Sequence, residues 1–108
     1  MTLLTQEILR NIPALYSQEN VEDPTVWVKY FTPDSGWSWL ATEYDPEERL
    51  FFGFVVSGLD PSFHDLCFWT LDDLETSRGS LGHPIERDSS WTPRILSEAK
   101  ASVRSVVS

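Results

Sequence analysis

WSWLATEYDPEERLFFGFVVSG, from Trp37 to Gly58, decides the fold. Trp37, Trp39 and Ala41 alternate with Ser38, Leu40 and Thr42, and Glu43 continues on the Trp37 side. On the second arm Leu50, Phe52, Phe54 and Val56 point one way, and Phe51, Gly53 and Val55 the other. A side-chain period of two is the mark of a strand. The second arm is apolar on both sides, which predicts a central strand covered on both faces. Between the arms lies Tyr44-Asp45-Pro46-Glu47-Glu48-Arg49. Asp45 before Pro46 predicts a turn, because proline sets φ and the aspartate side chain can accept from the backbone two residues on. The stretch is therefore a β-hairpin over residues 37–57.

Upstream, Thr25–Phe31 is β-branched and aromatic and reads as a strand. The Thr32-Pro33-Asp34-Ser35-Gly36 cluster turns it back against the hairpin. Thr5–Tyr16 places Ile8, Leu9, Ile12, Leu15 and Tyr16 at helical spacing, with Thr5 as N-cap and Glu7 in the first turn. Pro13 costs a helix interior about 3 kcal/mol, so a break is predicted before it. Residues 17–24 read as a loop.

Downstream, residues 59–62 read as a loop and Phe63–Trp69 as a fourth strand. Thr70 is an N-cap for a helix over Leu71–Arg78, with Asp72 and Asp73 in its first turn. Arg78 suits the negative end of the helix dipole, and Gly79 is expected just past it in the left-handed region. Leu81–Asp88 is irregular with Ile85 buried. Thr92-Pro93 is a cap followed by a first-turn proline, opening a C-terminal helix that buries Ile95, Leu96, Ala99 and Val103. The fold class is α+β. A small twisted antiparallel sheet of about four strands is packed by an N-terminal helix and the helix at 71–78, in one domain of 108 residues.

Seventeen acidic residues face eight basic ones, for a net charge of −9. Such a balance repels nucleic-acid phosphates and anionic headgroups and favours basic protein partners. Cys67 is the sole cysteine, so no disulfide can form within the chain. That fits a reducing, cytoplasmic setting. No apolar run reaches the length of a membrane span, and the N-terminus lacks the pattern of a signal peptide.

Four sets of residues invite a chemical reading. Glu43, Asp45, Glu47 and Glu48 form an acidic turn; paired carboxylates can do acid–base work or hold a metal, but a solvated hairpin turn is the plainer reading. His64, Cys67 and His83 lack the ligand spacing of a zinc site, so no metal and no cofactor is expected. Glu86-Arg87-Asp88 follows Glu75 and Arg78. With Glu43, the residues Arg78, Glu86 and Arg87 would serve as base and phosphate clamp in a metal-independent RNA-cleaving enzyme. They equally suit a structural ion-pair cluster, with Glu43 or Glu86 drawn to Arg78 or Arg87 at one end of the sheet, and that reading is preferred. Finally, the five tryptophans exceed what one small core hides. They suit a partner surface, with Trp37, Trp39, Tyr44, Asp45, Glu47 and Glu48 as its candidates, and equally a tryptophan-rich core and rim.

The hairpin WSWLATEYDPEERLFFGFVV, the segment TLDDLETSRG and the sequence IERD together resemble the DUF2958 family of uncharacterised proteins. The likeness covers about residues 3–98 and departs at Ser57–Leu66, with 99–108 as a variable tail. It implies an accessory protein of a bacterial mobile genetic element, such as a plasmid, an integrative conjugative element or a phage. A regulatory or anti-defence role through protein–protein contact fits that context, with a toxin-like endoribonuclease as the alternative.

Overall fold

The computed structural model describes residues 2–58, 64–79 and 81–107. Its elements run α1 (Gln6–Asn11), β1 (Thr25–Val26), β2 (Val28–Phe31), β3 (Ser38–Asp45), β4 (Leu50–Val56), β5 (His64–Thr70), α2 (Leu71–Thr76), β6 (Glu86–Arg87), β7 (Arg94–Ile95) and α3 (Leu96–Val107). Among the described residues one antiparallel sheet has the order β5-β4-β3-β2-β6, and β1 pairs with β7 in a second. The architecture is α+β. The main sheet has five strands because Glu86–Arg87, expected to be irregular, pairs with Tyr30 and Phe31. The expected loop at 59–62 and Phe63 lie outside the described residues.

The hairpin follows its pattern. β3 and β4 pair from Ser38 opposite Val56 to Asp45 opposite Leu50. Asp45 Oδ1 accepts from the Glu47 N–H at 3.1 Å, the bond that an Asp-Pro turn predicts. Arg49 ends the turn at φ 54° and its carbonyl accepts from Leu71 N–H at 2.9 Å. Its guanidinium reaches Asp72 at 2.9 Å and Glu75 at 2.7 Å, tying the turn to α2. β4 is central and covered on both sides. On the first face Phe51 packs with Tyr30, Tyr44, Trp69 and Leu74, backed by Ile12. On the second face Phe54 and Val56 pack with Val26, Leu40, Leu96 and Ala99. Two separate clusters on one sheet are what a strand apolar on both sides requires.

One face assignment is corrected. Pairing slips between Ala41 and Glu43, so Thr42 is an extra residue in a β-bulge. Glu43 therefore stands opposite Phe52 on the second face, and Tyr44 opposite Phe51 on the first. A shift of one residue exchanges faces because the side-chain period is two. The 25–31 run is likewise interrupted. Trp27 N–H donates to Ala41 O at 2.9 Å, and the residues on either side go to different sheets. Val26 belongs to the second cluster and Val28 to the first, which two residues on an unbroken strand would not do.

Helix ends show both agreement and correction. Thr5 Oγ1 caps α1 by accepting from Ile8 N–H at 3.2 Å, and α1 stops at Asn11, ahead of Pro13. Thr70 caps α2 in a reciprocal box with Asp73. α2, however, ends at Thr76, with Ser77 extended at φ −76° and ψ 153°, so Gly79 is not its left-handed cap. Arg78 still serves the helix end, donating to the Glu75 carbonyl at 3.0 Å and the Ser77 carbonyl at 2.7 Å. Gly79 is required by a close approach: a Cβ there would run into the Asp34 carboxylate. That carboxylate accepts from Leu81 N–H at 2.9 Å and His83 N–H at 3.3 Å. Gly79→Ala is expected to cost about 1–2 kcal/mol by thermal melting, through overpacking and displaced hydrogen bonds. An unchanged midpoint would show that Asp34 has room to move aside.

α3 begins at Leu96, past the expected Thr92-Pro93 start, because Arg94 and Ile95 pair with β1. Ile95 is exposed as a result, while Leu96 and Ala99 are buried. A distant residue caps the helix. Asp23 accepts from Ser97 N–H at 2.9 Å and from Ser97 Oγ–H at 2.6 Å. The Ser97 hydroxyl, then its amide, hold the Asp23 carboxyl below the usual range, against the push of desolvation. A folded-state pKa below the unfolded one stabilises fully above the unfolded value and is lost as pH falls through the folded value. The melting temperature should therefore drop on acidification below about pH 4. Asp23→Asn should show a shallower drop, and parallel curves for the two proteins would refute the linkage.

An apolar groove on the second face of the sheet as the candidate functional site

The register of β4 and β5 sets Phe52 opposite Phe68 and Phe54 opposite Leu66. All four stand on the second face, and the Phe52 and Phe68 rings lie 4.8 Å apart. α3 covers the Leu40 side of this face through Leu96 and Ala99 and stops short of β5. Leu66 and Phe68 are therefore each 50% exposed. Exposure of a single apolar side chain is ordinary, but a contiguous patch marks a contact surface.

The loop after Pro13 makes the opposite wall. Glu43, 3% exposed, turns its carboxylate onto this loop because the bulge has put it on this face. Glu43 accepts from Tyr16 N–H at 2.8 Å and Gln18 N–H at 2.7 Å. These are charge-assisted bonds, the stronger kind. Gln18 in turn donates to the Thr42 carbonyl at 2.7 Å, satisfying the backbone of the bulge, and accepts from Thr25 N–H at 3.0 Å. Tyr16 is held at φ 69°, a conformation uncommon for an aromatic residue, and its ring meets Phe68 edge-on at 6.4 Å.

The result is a groove of about 610 Å³ between loop, sheet and α3. Its floor is Phe52, Phe54, Leu66 and Phe68, and its rim carries Glu19, Glu22 and Asp65. Lys100 also lines the groove, its Nζ 4.2 Å from the centre of the Phe54 ring in a cation–π contact, one cation against the three carboxylates of the rim.

The residues singled out in the sequence are dispersed. Glu43 lines this groove; Glu86 lines a second cavity beside Leu74 and Glu75, and Arg87 a third beside Ile8 and Trp27. Arg78 and Arg87 donate to backbone carbonyls, Arg87 to Thr2 O at 3.0 Å, while Glu43 is engaged by amides. Among the described residues the expected pairing of Glu43 or Glu86 with Arg78 or Arg87 is not formed: the bulge turns Glu43 to the second face while Arg87 lies opposite Tyr30 of the first, and the ion pairs of Asp72 and Glu75 go to Arg49. Trp37 and Trp39 stack at 6.1 Å, with Trp39 packed on the first cluster. Tyr44 is buried there, and burial raises the pKa of its hydroxyl. Asp45, Glu47 and Glu48 occupy the hairpin turn, the two glutamates exposed. Among the described residues, no group of three or more His, Cys, Asp or Glu is placed to hold a metal ion.

Leu66 and Phe68 carried no signal on their own, and Tyr16, expected on the apolar face of a helix, lies instead in the loop after α1 and is exposed. Alternation of Leu66 and Phe68 with Cys67 and Trp69 was legible, but which pair stays uncovered depends on where α3 packs.

A family model for proteins of unknown function, DUF2958, matches residues 3–104. The chain belongs to the DUF2958 family. The match runs past Glu98 and takes in most of α3, so this family's region includes the helix that walls the groove. No curated protein and no solved structure matches. No described helix of this DUF2958 protein is long and apolar enough to cross a membrane.

Proposed function

We propose that this DUF2958 protein is a non-enzymatic binding module whose groove takes a basic, apolar-faced segment of a partner protein. The carrying observation is the pairing of an apolar floor, half exposed at Leu66 and Phe68, with an acidic rim of Glu19, Glu22 and Asp65. The floor supplies apolar area, and the rim, on a chain of net charge −9, selects cations. The same charge disfavours nucleic acid. This reading fits a regulatory or anti-defence accessory protein of a bacterial mobile element, which works by contact.

The test uses two synthetic peptides of matched length, one of lysines and leucines, the other of glutamates and leucines, titrated by calorimetry. The lysine peptide should bind, more weakly as salt rises, and the glutamate peptide should not. Leu66→Ser and Phe68→Ser should each weaken binding about tenfold, with little loss of stability because both side chains are half exposed. Equal binding of both peptides, or indifference to the two substitutions, would sink the proposal.

A further inference from the structure

β5 is an edge strand: among the described residues no strand pairs with its outer side. In an antiparallel ladder each residue directs its N–H and C=O to one side, and successive residues alternate. Leu66 N–H bonds Asp65 Oδ1 at 2.8 Å, and Thr70 N–H bonds Asp73 Oδ2 at 3.1 Å. Both amides thus point away from β4. Phe68 lies midway between them, so its N–H and C=O point outward as well. The Thr70 amide is taken by the helix cap and the Leu66 amide by its neighbour's side chain, which leaves the Phe68 N–H as the open donor between them.

Natural sheets blunt their edges by shortness, charge, proline or bulges. The far edge of this sheet obeys: β6 is two residues long and both are charged. β5 does not. It runs His64–Thr70 as HDLCFWT, opposite an unbroken stretch of β4, with Asp65 as its one formal charge. The outward-facing residues Leu66 and Phe68 are also the ones whose side chains form the open floor of the groove. A strand laid along β5 would gain backbone bonds at the edge and extend that floor with every second side chain.

We infer that β5 receives an extended basic segment of a partner protein as an added strand. This rests on the binding reading given above and specifies its mode. The occupant is basic because the Asp65 carboxylate stands at the edge it would pair with, on a chain of net charge −9. A second copy of this chain is disfavoured by the same charge, since each copy carries −9.

The experiment compares a lysine–valine alternating peptide of about ten residues with a helix-forming lysine–leucine–alanine peptide of equal charge. Amide hydrogen exchange of the full chain is read by NMR. The alternating peptide should bind and slow exchange at Phe68 N–H about tenfold, while the helical peptide binds more weakly. Phe68→Pro removes the outward donor without taking a bond from β4, and should weaken binding about tenfold beyond the loss in Phe68→Val. If the proline variant fails to fold, exchange at Phe68 in the native chain decides alone. Binding without protection of Phe68, or preference for the helical peptide, overturns strand addition and leaves the groove reading standing. Failure of both peptides overturns both. Phe68 protection without peptide, growing with protein concentration as the mass doubles, overturns the inference in favour of self-pairing.

Discussion

Gly53→Ala is expected to lower stability by about 3 kcal/mol or more and to leave little folded protein at 37 °C. Gly53 sits in the central strand opposite Ala41, beside the bulge at Thr42. A Cβ there would run into the Leu40 carbonyl oxygen and stand 3.0 Å from Ala41 Cα. Both obstacles are backbone of the neighbouring strand, so no rotamer change relieves them. Relief requires β3 to move, and β3 carries Leu40 of one cluster and Ala41 of the other. Thermal melting and far-UV circular dichroism of the variant measure the effect. A midpoint within a few degrees of the native protein would mean that the bulge tolerates a wider strand spacing, contrary to this reading.

Glu43→Gln should cost about 1.5–3 kcal/mol, the usual range for hydrogen bonds to a charged acceptor. The amide keeps one acceptor oxygen and turns an NH₂ donor toward either Tyr16 N–H or Gln18 N–H. Two donors then face each other at a site that is 3% exposed. The loop should loosen, with faster amide exchange at Tyr16 and Gln18, and the lysine–leucine peptide should bind less well because a groove wall has moved. The alternative role for Glu43 as a catalytic base makes the opposite forecast, with stability intact. A variant as stable as the native protein, with protected Tyr16 and Gln18 amides, would remove the anchoring role argued here.

The candidate site was partly legible. The charge that selects a basic partner is a sum over residues, readable without coordinates. Phe52 and Phe54 were legible as one side of a strand apolar on both faces. Glu43 was legible as a residue of interest, but its face was not, because nothing in Ala41-Thr42-Glu43 announces a bulge. The bulge is secured from elsewhere: Gln18 takes the Thr42 carbonyl, and the Thr42 hydroxyl donates to Phe52 O at 3.1 Å. The end of α2 was misplaced for a related reason. Gly79 carries the look of a helix cap, yet its need arises from Asp34, far along the chain.

What the sequence by itself determined is what depends on neighbours along the chain. The two arms of the hairpin, the Asp45 turn, the caps at Thr5 and Thr70, the stop before Pro13 and the burial of Ile85 all rest on side-chain period or local hydrogen bonding. Tertiary structure alone decided which partner each segment takes. It broke the 25–31 run at Trp27 and sent Arg94–Ile95 to pair with β1. It also capped α3 with Asp23 and left Leu66 and Phe68 uncovered. Local propensities contribute tenths of a kcal/mol per residue. Packing two clusters against one sheet contributes far more, so the choice among locally acceptable conformations falls to contacts between residues distant in sequence.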